Sequence, residues 1–366
     1  MDEKIFGGAA TVFFLVMMLL LSAAGCRGKH HGMSAEERTD DDASPDDDDD
    51  DNDDDNDASP DDDDNDDVSP EWSPMQSGTR DILSAVWGQS STDVFVVGGT
   101  VGSTGSILHY SGSTWSLAME SAVCAFSGVW GSSASDVFVV GGGGADVPDC
   151  AFHFDGAAWS NISYPYLCDQ VWGTSYSDVF VLTGNVISHF DGLSWSQMYI
   201  ALWQVMFTGI WGASNSDVYA VGNDYTVGHF YHYDGKEWAE MGIGEYMLYP
   251  GYLWGTASNN IWMTMTPDSQ FPYSLARFDG VDWLLTTANG ATDGEILRSI
   301  WGASPTDVFA VGDWGTAIHF DGATWRRMET GGNNSLNGVW GSSPSDVFAV
   351  GYHGAILHYA GPPAVK

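Results

Sequence analysis

The stretch SIWGASPTDVFAVGDWGTAIHFDGATWRRM, residues 299–328, decides the fold of this chain. Its skeleton, WGxSxxDVFxVG followed by IHFDGxxW, occurs in seven copies, and their leading Trp residues lie 39 to 47 positions apart. That period is typical of a four-stranded β-propeller blade and longer than the roughly 33 or 34 residues of helical repeats. The seven leading residues are Trp87, Trp130, Trp172, Trp211, Trp254, Trp301 and Trp340.

Each copy is predicted to form four short antiparallel strands, a to d. In the last copy, strand a covers residues 336–340, strand b 347–350 and strand c 355–359, while strand d of the preceding copy covers 325–328. Gly after the leading Trp, a Ser-rich turn ending in Asp and an Asp-Gly pair separate these strands. Strand b is apolar throughout rather than alternating, so we expect both of its faces to be buried between neighbouring blades.

The N-terminal segment is predicted to close the ring. The seventh copy ends at residue 361 without its closing Trp, whereas the folded region begins with an unmatched Trp72. Trp72 precedes Trp87 by 15 residues, the same spacing that separates Trp325 from Trp340. We therefore expect an all-β, seven-bladed β-propeller over residues 71–361, with an N-terminal strand d in the last blade and a tail at 362–366. Ring closure leaves no exposed blade at an end.

The repeats resemble those of bacterial surface β-propellers of the kelch and Asp-box kind. The motif HFDGATW at residues 319–325 is similar to the Asp-box turn between the third and fourth strands, without the residue between Asp and Gly. The resemblance covers residues 71–361 and implies a propeller. A sialidase of this kind would need an arginine cluster for its substrate carboxylate, yet Arg277, Arg326 and Arg327 fall on outer strands, leaving Arg80 and Arg298.

Residues 1–25 are predicted to be a secretory signal peptide, because an uncharged apolar run from Ile5 ends in small residues and a cysteine. The sequence SAAGC at residues 22–26 resembles a bacterial lipobox, which implies that Cys26 carries the lipid of a membrane-anchored protein. The alternative is an uncleaved transmembrane anchor, for which the run is just long enough. Arg27 follows Cys26, so the resemblance implies the outer membrane or cell surface of a bacterial envelope.

Residues 26–70 are predicted to be a lipidated cysteine followed by a disordered, Asp-rich tether. Nineteen Asp lie between Asp40 and Asp67, and such a segment repels itself and cannot form a core. Without these 19 Asp the formal charge of −39 is still −20. Because no basic patch is present, nucleic acid is excluded as a partner. We expect no metal or cofactor, and a monomeric propeller.

Three cysteines remain within the repeats, namely Cys124, Cys150 and Cys168. Strand alternation places all three at one end of the ring, the end that carries the connections from b to c and from d to a. In an oxidising compartment one pair is expected to form a disulfide. Three pairings are open, and Cys150 with Cys168 is the preferred one.

The polar side chains that recur in every repeat are predicted to stabilise the fold rather than to bind a ligand or catalyse a reaction. Six His recur at one position of strand c, where each is separated from the others by a whole blade and cannot share a zinc ion. An Asp recurs before strand b as a turn acceptor, with Asn260 and Arg277 replacing Asp and His in the fifth copy. The six are His109, His153, His189, His232, His319 and His358.

Function is therefore predicted where the copies differ, in aromatic loops at the end that carries the cysteines. We expect a non-catalytic module that binds a glycan or a protein, or alternatively a glycoside hydrolase or lyase using two carboxylates among Asp169, Asp224, Glu245, Asp293, Glu295 and Asp313. The rings could equally pack against one another. The ligand-binding candidates are Trp203, Tyr225, Tyr246, Tyr249, Phe271, Tyr273, Asp313 and Trp314.

Overall fold

The structure, a computed structural model, describes residues 71–100, 104–142, 150–164, 166–202, 204–243, 249–267, 272, 274–288 and 294–361. The predicted signal peptide, Cys26, the tether and the C-terminal tail lie outside these residues. Among the described residues, no helix is long and apolar enough to cross a membrane.

The described chain folds into seven antiparallel sheets of four strands each, which are the predicted blades. The strands of blade 7 and blades 1 to 3 are β1 (Trp72–Met75); β2 (Leu83–Ser90), β3 (Asp93–Gly99), β4 (Gly105–Tyr110) and β5 (Trp115–Ser121); β6 (Ala125–Ser133), β7 (Asp136–Gly142), β8 (Ala151–Phe154) and β9 (Trp159–Asn161); β10 (Gln170–Ser175), β11 (Asp178–Thr183), β12 (Val186–Phe190) and β13 (Trp195–Ile200).

The remaining strands continue the same pattern in blades 4 to 7. They are β14 (Met206–Ser214), β15 (Asp217–Asn223), β16 (Gly228–Tyr233) and β17 (Trp238–Met241); β18 (Pro250–Ala257), β19 (Asn260–Met265), β20 (Leu275–Phe278) and β21 (Trp283–Thr286); β22 (Leu297–Ser304), β23 (Asp307–Gly312), β24 (Ala317–Phe320) and β25 (Trp325–Arg327); β26 (Leu336–Ser343), β27 (Asp346–Gly351) and β28 (Ile356–Tyr359).

The predicted closure of the ring is confirmed. Strand β1 pairs antiparallel with β28, with Trp72 opposite Tyr359 and Met75 opposite Ile356. Trp72 has no solvent exposure, and its ring packs against Tyr359 and against Phe309 of blade 6. The N-terminal strand is therefore both the outer strand of blade 7 and part of the layer between blades 6 and 7.

The core consists of seven apolar layers, one between each pair of neighbouring blades. The first strand of each blade contacts the first strands of both neighbours and so lines the inside of the ring. The second strand is buried on both faces, as Val347 and Phe348 illustrate with no exposure. This burial confirms the prediction drawn from the unbroken apolar run.

The Trp-Gly pair that opens each repeat joins successive blades. The ring of Trp87 lies on Gly131 of the next blade, so closely that a Cβ on this glycine would come within 2.6 Å of the indole. The contact repeats around the ring and ends with Trp340 on Gly88. Each glycine is therefore required because only a hydrogen atom fits beneath the neighbouring indole.

The repeated His and Asp are partners. In six blades, the His on the third strand lies 2.7–3.0 Å from the Asp that begins the second strand, and its ring stacks on the aromatic residue between them in the sheet, as His109 does on Phe95. In blade 5, Arg277 donates to Asn260 at 2.7 Å and lies over Trp262. The divergent blade thus keeps the same link with three coordinated replacements.

The preferred disulfide was wrong: the structure pairs Cys124 with Cys150, whose Cα atoms are 5.6 Å apart. These residues directly precede β6 and β8 of one blade, whereas Cys168 lies on the linker to blade 3. The Cys168 thiol is buried 4.0 Å from the hydroxyl of Thr183 in β11. It therefore faces blade 3, and burial raises its pKa far above the ordinary value.

Candidate functional site

The two ends of the ring differ in their connections. The turn end carries the short turns from the first to the second strand and from the third to the fourth. The loop end carries the connections from the second to the third strand and the linkers between blades. Four of the eight candidates are described, and Trp203, Tyr246, Phe271 and Tyr273 lie outside the described residues. The described four, all at the loop end, are Tyr225, Tyr249, Asp313 and Trp314.

Trp314 is the most exposed large aromatic residue of the described chain, at 70% of its surface. It lies in a short 3-10 turn, Asp313–Gly315, with φ of 56°, a conformation that few non-glycine residues adopt. Its main-chain N–H donates to the hydroxyl of Ser335 at 3.2 Å. The indole is therefore held in solvent by a strained turn that the next blade supports.

The residue that precedes Trp314, Asp313, takes part in an ion pair. The Arg298 Nε donates to the Asp313 carboxylate at 2.5 Å, and both side chains are partly buried. Arg298 is the second residue of β22, on the inside of the ring, whereas Asp313 follows β23. The pair thus connects the exposed loop that carries Trp314 to the inner strands.

Further polar groups gather on the inner strands at the loop end. Burial raises the pKa of Tyr252, the third residue of β18; Arg298 opposes this increase, Asp169 adds to it, and Gln170 hydrogen-bonds the hydroxyl. These four residues belong to blades 3, 5 and 6. We call them, together with Asp313, the inner-strand cluster.

Asp169 is the acidic member of the inner-strand cluster. Its residue surface is exposed to solvent at the loop end, and desolvation by the neighbouring protein raises the pKa of its carboxyl group. The main-chain N–H of Gly184 opposes the increase by donating to the carboxylate at 3.3 Å.

The sequence does not connect these residues directly, although the repeat contains a signal. Three positions before the leading Trp, several blades carry a small polar residue that donates to a main-chain carbonyl of the next blade. Ser127 reaches Cys168 at 2.7 Å, and Thr208 reaches Pro250 at 2.8 Å. Blades 3 and 6 have Asp169 and Arg298 at this position. A charged residue in place of a structural hydroxyl marks the inner-strand cluster.

Tyr225 is presented by a second strained loop, between β15 and β16. It has φ of 69° and is half exposed. The Asp224 carboxylate accepts hydrogen bonds from the Thr226 hydroxyl and from the N–H groups of Thr226 and Val227, and these bonds hold the pKa of Asp224 well below its usual range. His229 lies between Asp224, at 3.5 Å, and Glu240, at 2.6 Å.

Most of the described carboxylates proposed for catalysis form ion pairs or hydrogen bonds with other groups of the protein. Asp313 is paired with Arg298, Asp224 closes its own loop, and Glu295 lies 3.0 Å from Arg327. Glu245 and Asp293 lie outside the described residues. Burial raises the pKa of Asp169, whereas hydrogen bonds lower that of Asp224. Among the residues that the structure describes, no group of three or more His, Cys, Asp and Glu is arranged for a metal ion.

Not every aromatic residue at the loop end is available for a ligand. Tyr164 is 2% exposed, and its hydroxyl hydrogen-bonds with Thr183 and Ser188 at 3.0 Å. Burial raises its pKa. Tyr166, in the same linker, is half exposed. The described aromatic rings at the loop end are therefore of two kinds: Tyr164 is packed inside the protein, whereas Trp314, Tyr166, Tyr225 and Tyr249 are exposed to solvent.

No family model and no curated protein matches the sequence. The fold is similar to that of several solved structures. The structure described as YCF48 bound to D1 peptide has a TM-score of 0.62 and 16% identity, over 80% of this chain and 98% of that chain. YCF48 from Cyanidioschyzon merolae has a TM-score of 0.62 and 15% identity, over 81% and 100%. The WD40 β-propeller domain of Doa1 has a TM-score of 0.60 and 11% identity, over 80% and 96%. At these identities the likeness shows the fold.

Proposed function

We propose that this chain is a cell-envelope lipoprotein whose propeller binds a protein ligand at its loop end without catalysing a reaction. The observation that carries the proposal is the exposed Trp314 beside the Arg298–Asp313 ion pair, with Tyr252 and Asp169 of the inner-strand cluster further inside the ring. Trp, Tyr and Arg are the side chains that most often dominate the binding energy of protein interfaces.

A peptide segment fits this arrangement better than an uncharged glycan. The cluster contains the Arg298 guanidinium, which is paired with Asp313, and the Asp169 carboxylate, so it can distinguish the charges of a ligand. The exposed indole offers a rigid apolar surface at little cost in side-chain entropy. One structure with a similar fold, YCF48, is described as bound to a D1 peptide, which supports a peptide ligand as the class to test first.

The ligand proposal is tested by screening the purified protein against peptide and glycan arrays, then measuring hits by calorimetry. We expect peptide hits, and we expect Trp314→Ala to weaken binding roughly 5- to 150-fold, or about 1–3 kcal/mol. Leu193→Ala is the matched control, because Leu193 is 92% exposed at the turn end. Equal binding by both variants, or glycan hits alone, would contradict the proposal, and turnover of a glycan would support the hydrolase or lyase instead.

The anchor is a separate part of the proposal and rests on sequence. The apolar run, the lipobox-like SAAGC and the Asp-rich segment fit a lipid on Cys26 followed by an extended tether. Its 44 residues after Cys26 could reach on the order of 150 Å when fully extended. Labelling cells with a clickable fatty acid tests it: wild-type protein should carry the label and Cys26→Ala should not. A label on the variant would contradict lipidation at this residue.

A further inference from the structure

A cavity lies at the turn end, far from the residues of the proposed peptide site. It occupies about 630 Å³ between blades 1 and 2, within the range of ligand-binding cavities. Blade 1 contributes the Asp93–His109 pair and Phe95, and blade 2 contributes Phe154, Trp159 and Ala134. Its lining therefore combines three aromatic rings with one His–Asp pair.

The next interface shows what this space accommodates. Tyr176 of blade 3 occupies the repeat position that Ala134 holds in blade 2. The Tyr176 ring lies 4.8 Å from the ring of His153, 6.1 Å from Phe138 and 5.7 Å from Phe190, measured between centroids. These three are the repeat equivalents of His109, Phe95 and Phe154. Between blades 2 and 3, the phenol ring of Tyr176 therefore fills the space that is empty between blades 1 and 2.

The exposure of the repeated His is lowest beneath the largest residue at this position and highest beside the smallest. The His side chain is 10% exposed beneath Tyr176 and 32% exposed beside Ala134, which is the smallest of the six. In order, Tyr176, Pro344, Asn215, Ser258, Ser91 and Ala134 correspond to His exposures of 10, 14, 19, 28, 28 and 32%. The cavity therefore arises because Ala134 leaves its His uncovered.

We propose that the groove between blades 1 and 2 is a second binding site, which takes a tyrosine side chain of a partner protein. The entering ring occupies the place that Tyr176 occupies one interface further. By analogy with Tyr176, it lies over His109 with the two ring planes tilted, and it meets Phe154 edge to face, an arrangement that aromatic pairs favour. The volume exceeds that of one ring, so residues that flank the tyrosine also fit.

The test uses N-acetyl-L-tyrosinamide as the probe, and the Cε1–H resonances of His109 and His153 in proton–carbon NMR spectra as the readout. In the wild-type protein the probe should shift the His109 resonance saturably and leave His153 unchanged, because Tyr176 covers His153. N-acetyl-L-leucinamide, which lacks the ring, should shift neither.

Two substitutions test the role of the tyrosine ring, one by adding a ring between blades 1 and 2 and the other by removing the ring between blades 2 and 3. Ala134→Tyr should remove the response of His109, since the chain then supplies the ring itself. Tyr176→Ala should create a response at His153 and leave that of His109 intact. Both positions lie in exposed turns, and melting temperatures verify folding. The proposal is overturned if His109 does not respond in the wild-type protein, if leucinamide shifts it equally, or if Tyr176→Ala leaves His153 silent.

Discussion

At the scale of single residues, the ring is specified by the step from Trp to Gly. A Cβ on any of the seven glycines would lie 2.4–3.0 Å from an indole atom of the preceding blade. Close-packed interiors do not absorb such an overlap without displacing side chains or backbone. Each Trp therefore contacts the Gly of the next blade and not the Gly that follows it in sequence.

We expect Gly131→Ala to destabilise the protein by about 1–3 kcal/mol, the usual cost of overpacking. The new methyl group would meet the Trp87 ring at 2.6 Å and the main-chain oxygen of Asp136 at 2.8 Å, so both blades must shift. Denaturant unfolding measures the change. Gly242→Ala is the matched control, because a Cβ there meets nothing within 4 Å. Equal losses in the two variants would show that the contact with Trp87 is not the cause.

At the scale of elements, the turn from the third to the fourth strand is held by an Asp in five blades. In blade 2, one Asp155 carboxylate oxygen accepts hydrogen bonds from the N–H groups of Ala157 and Ala158 at 2.9 and 2.8 Å. The bond to Ala158, followed by that to Ala157, lowers the pKa of Asp155. The five with this lowered pKa are Asp155, Asp191, Asp234, Asp279 and Asp321.

These turns predict a loss of stability in acid. A carboxyl whose pKa is lower in the folded state contributes stability above its unfolded pKa, near 4, and loses it as pH falls through the folded value. The double variant Asp155→Asn with Asp321→Asn should therefore show a smaller fall in melting temperature below about pH 4 than the wild-type protein. Glu120→Gln with Glu237→Gln removes two exposed carboxylates outside these five positions. If this control flattens the profile equally, net charge rather than turn geometry governs the acid response.

The strands could be predicted from sequence, whereas the contacts between connections could not. The unbroken apolar run of strand b requires two buried faces, and Trp72 at the spacing of a strand d required the closure that β1 and β28 form. Which cysteines meet depends instead on the path of each linker, and the spacing of Cys124, Cys150 and Cys168 does not fix it.

At the scale of the whole molecule, one short strand secures the ring. Trp72 is fully buried between blades 6 and 7, and Glu71 binds Arg326 of blade 6 at 2.9 Å. We expect Trp72→Ala to destabilise the propeller by about 3–5 kcal/mol through the cavity it leaves. Thermal unfolding measures this loss, and limited proteolysis should then cut first near residue 71. Ser73→Ala, an exposed change in the same strand, should be silent; an unaltered melting temperature for Trp72→Ala would mean that β1 does not secure the ring.

The pairing of β1 with β28 also sets an order of events during biosynthesis. Trp72 emerges from the ribosome before any complete blade, yet its partner Tyr359 belongs to the last strand. The chain must therefore keep its first strand unpaired until the final one has been made. Contacts this distant in sequence form slowly, because closing the long loop between them lowers the chain entropy before the contacts contribute any stabilising free energy.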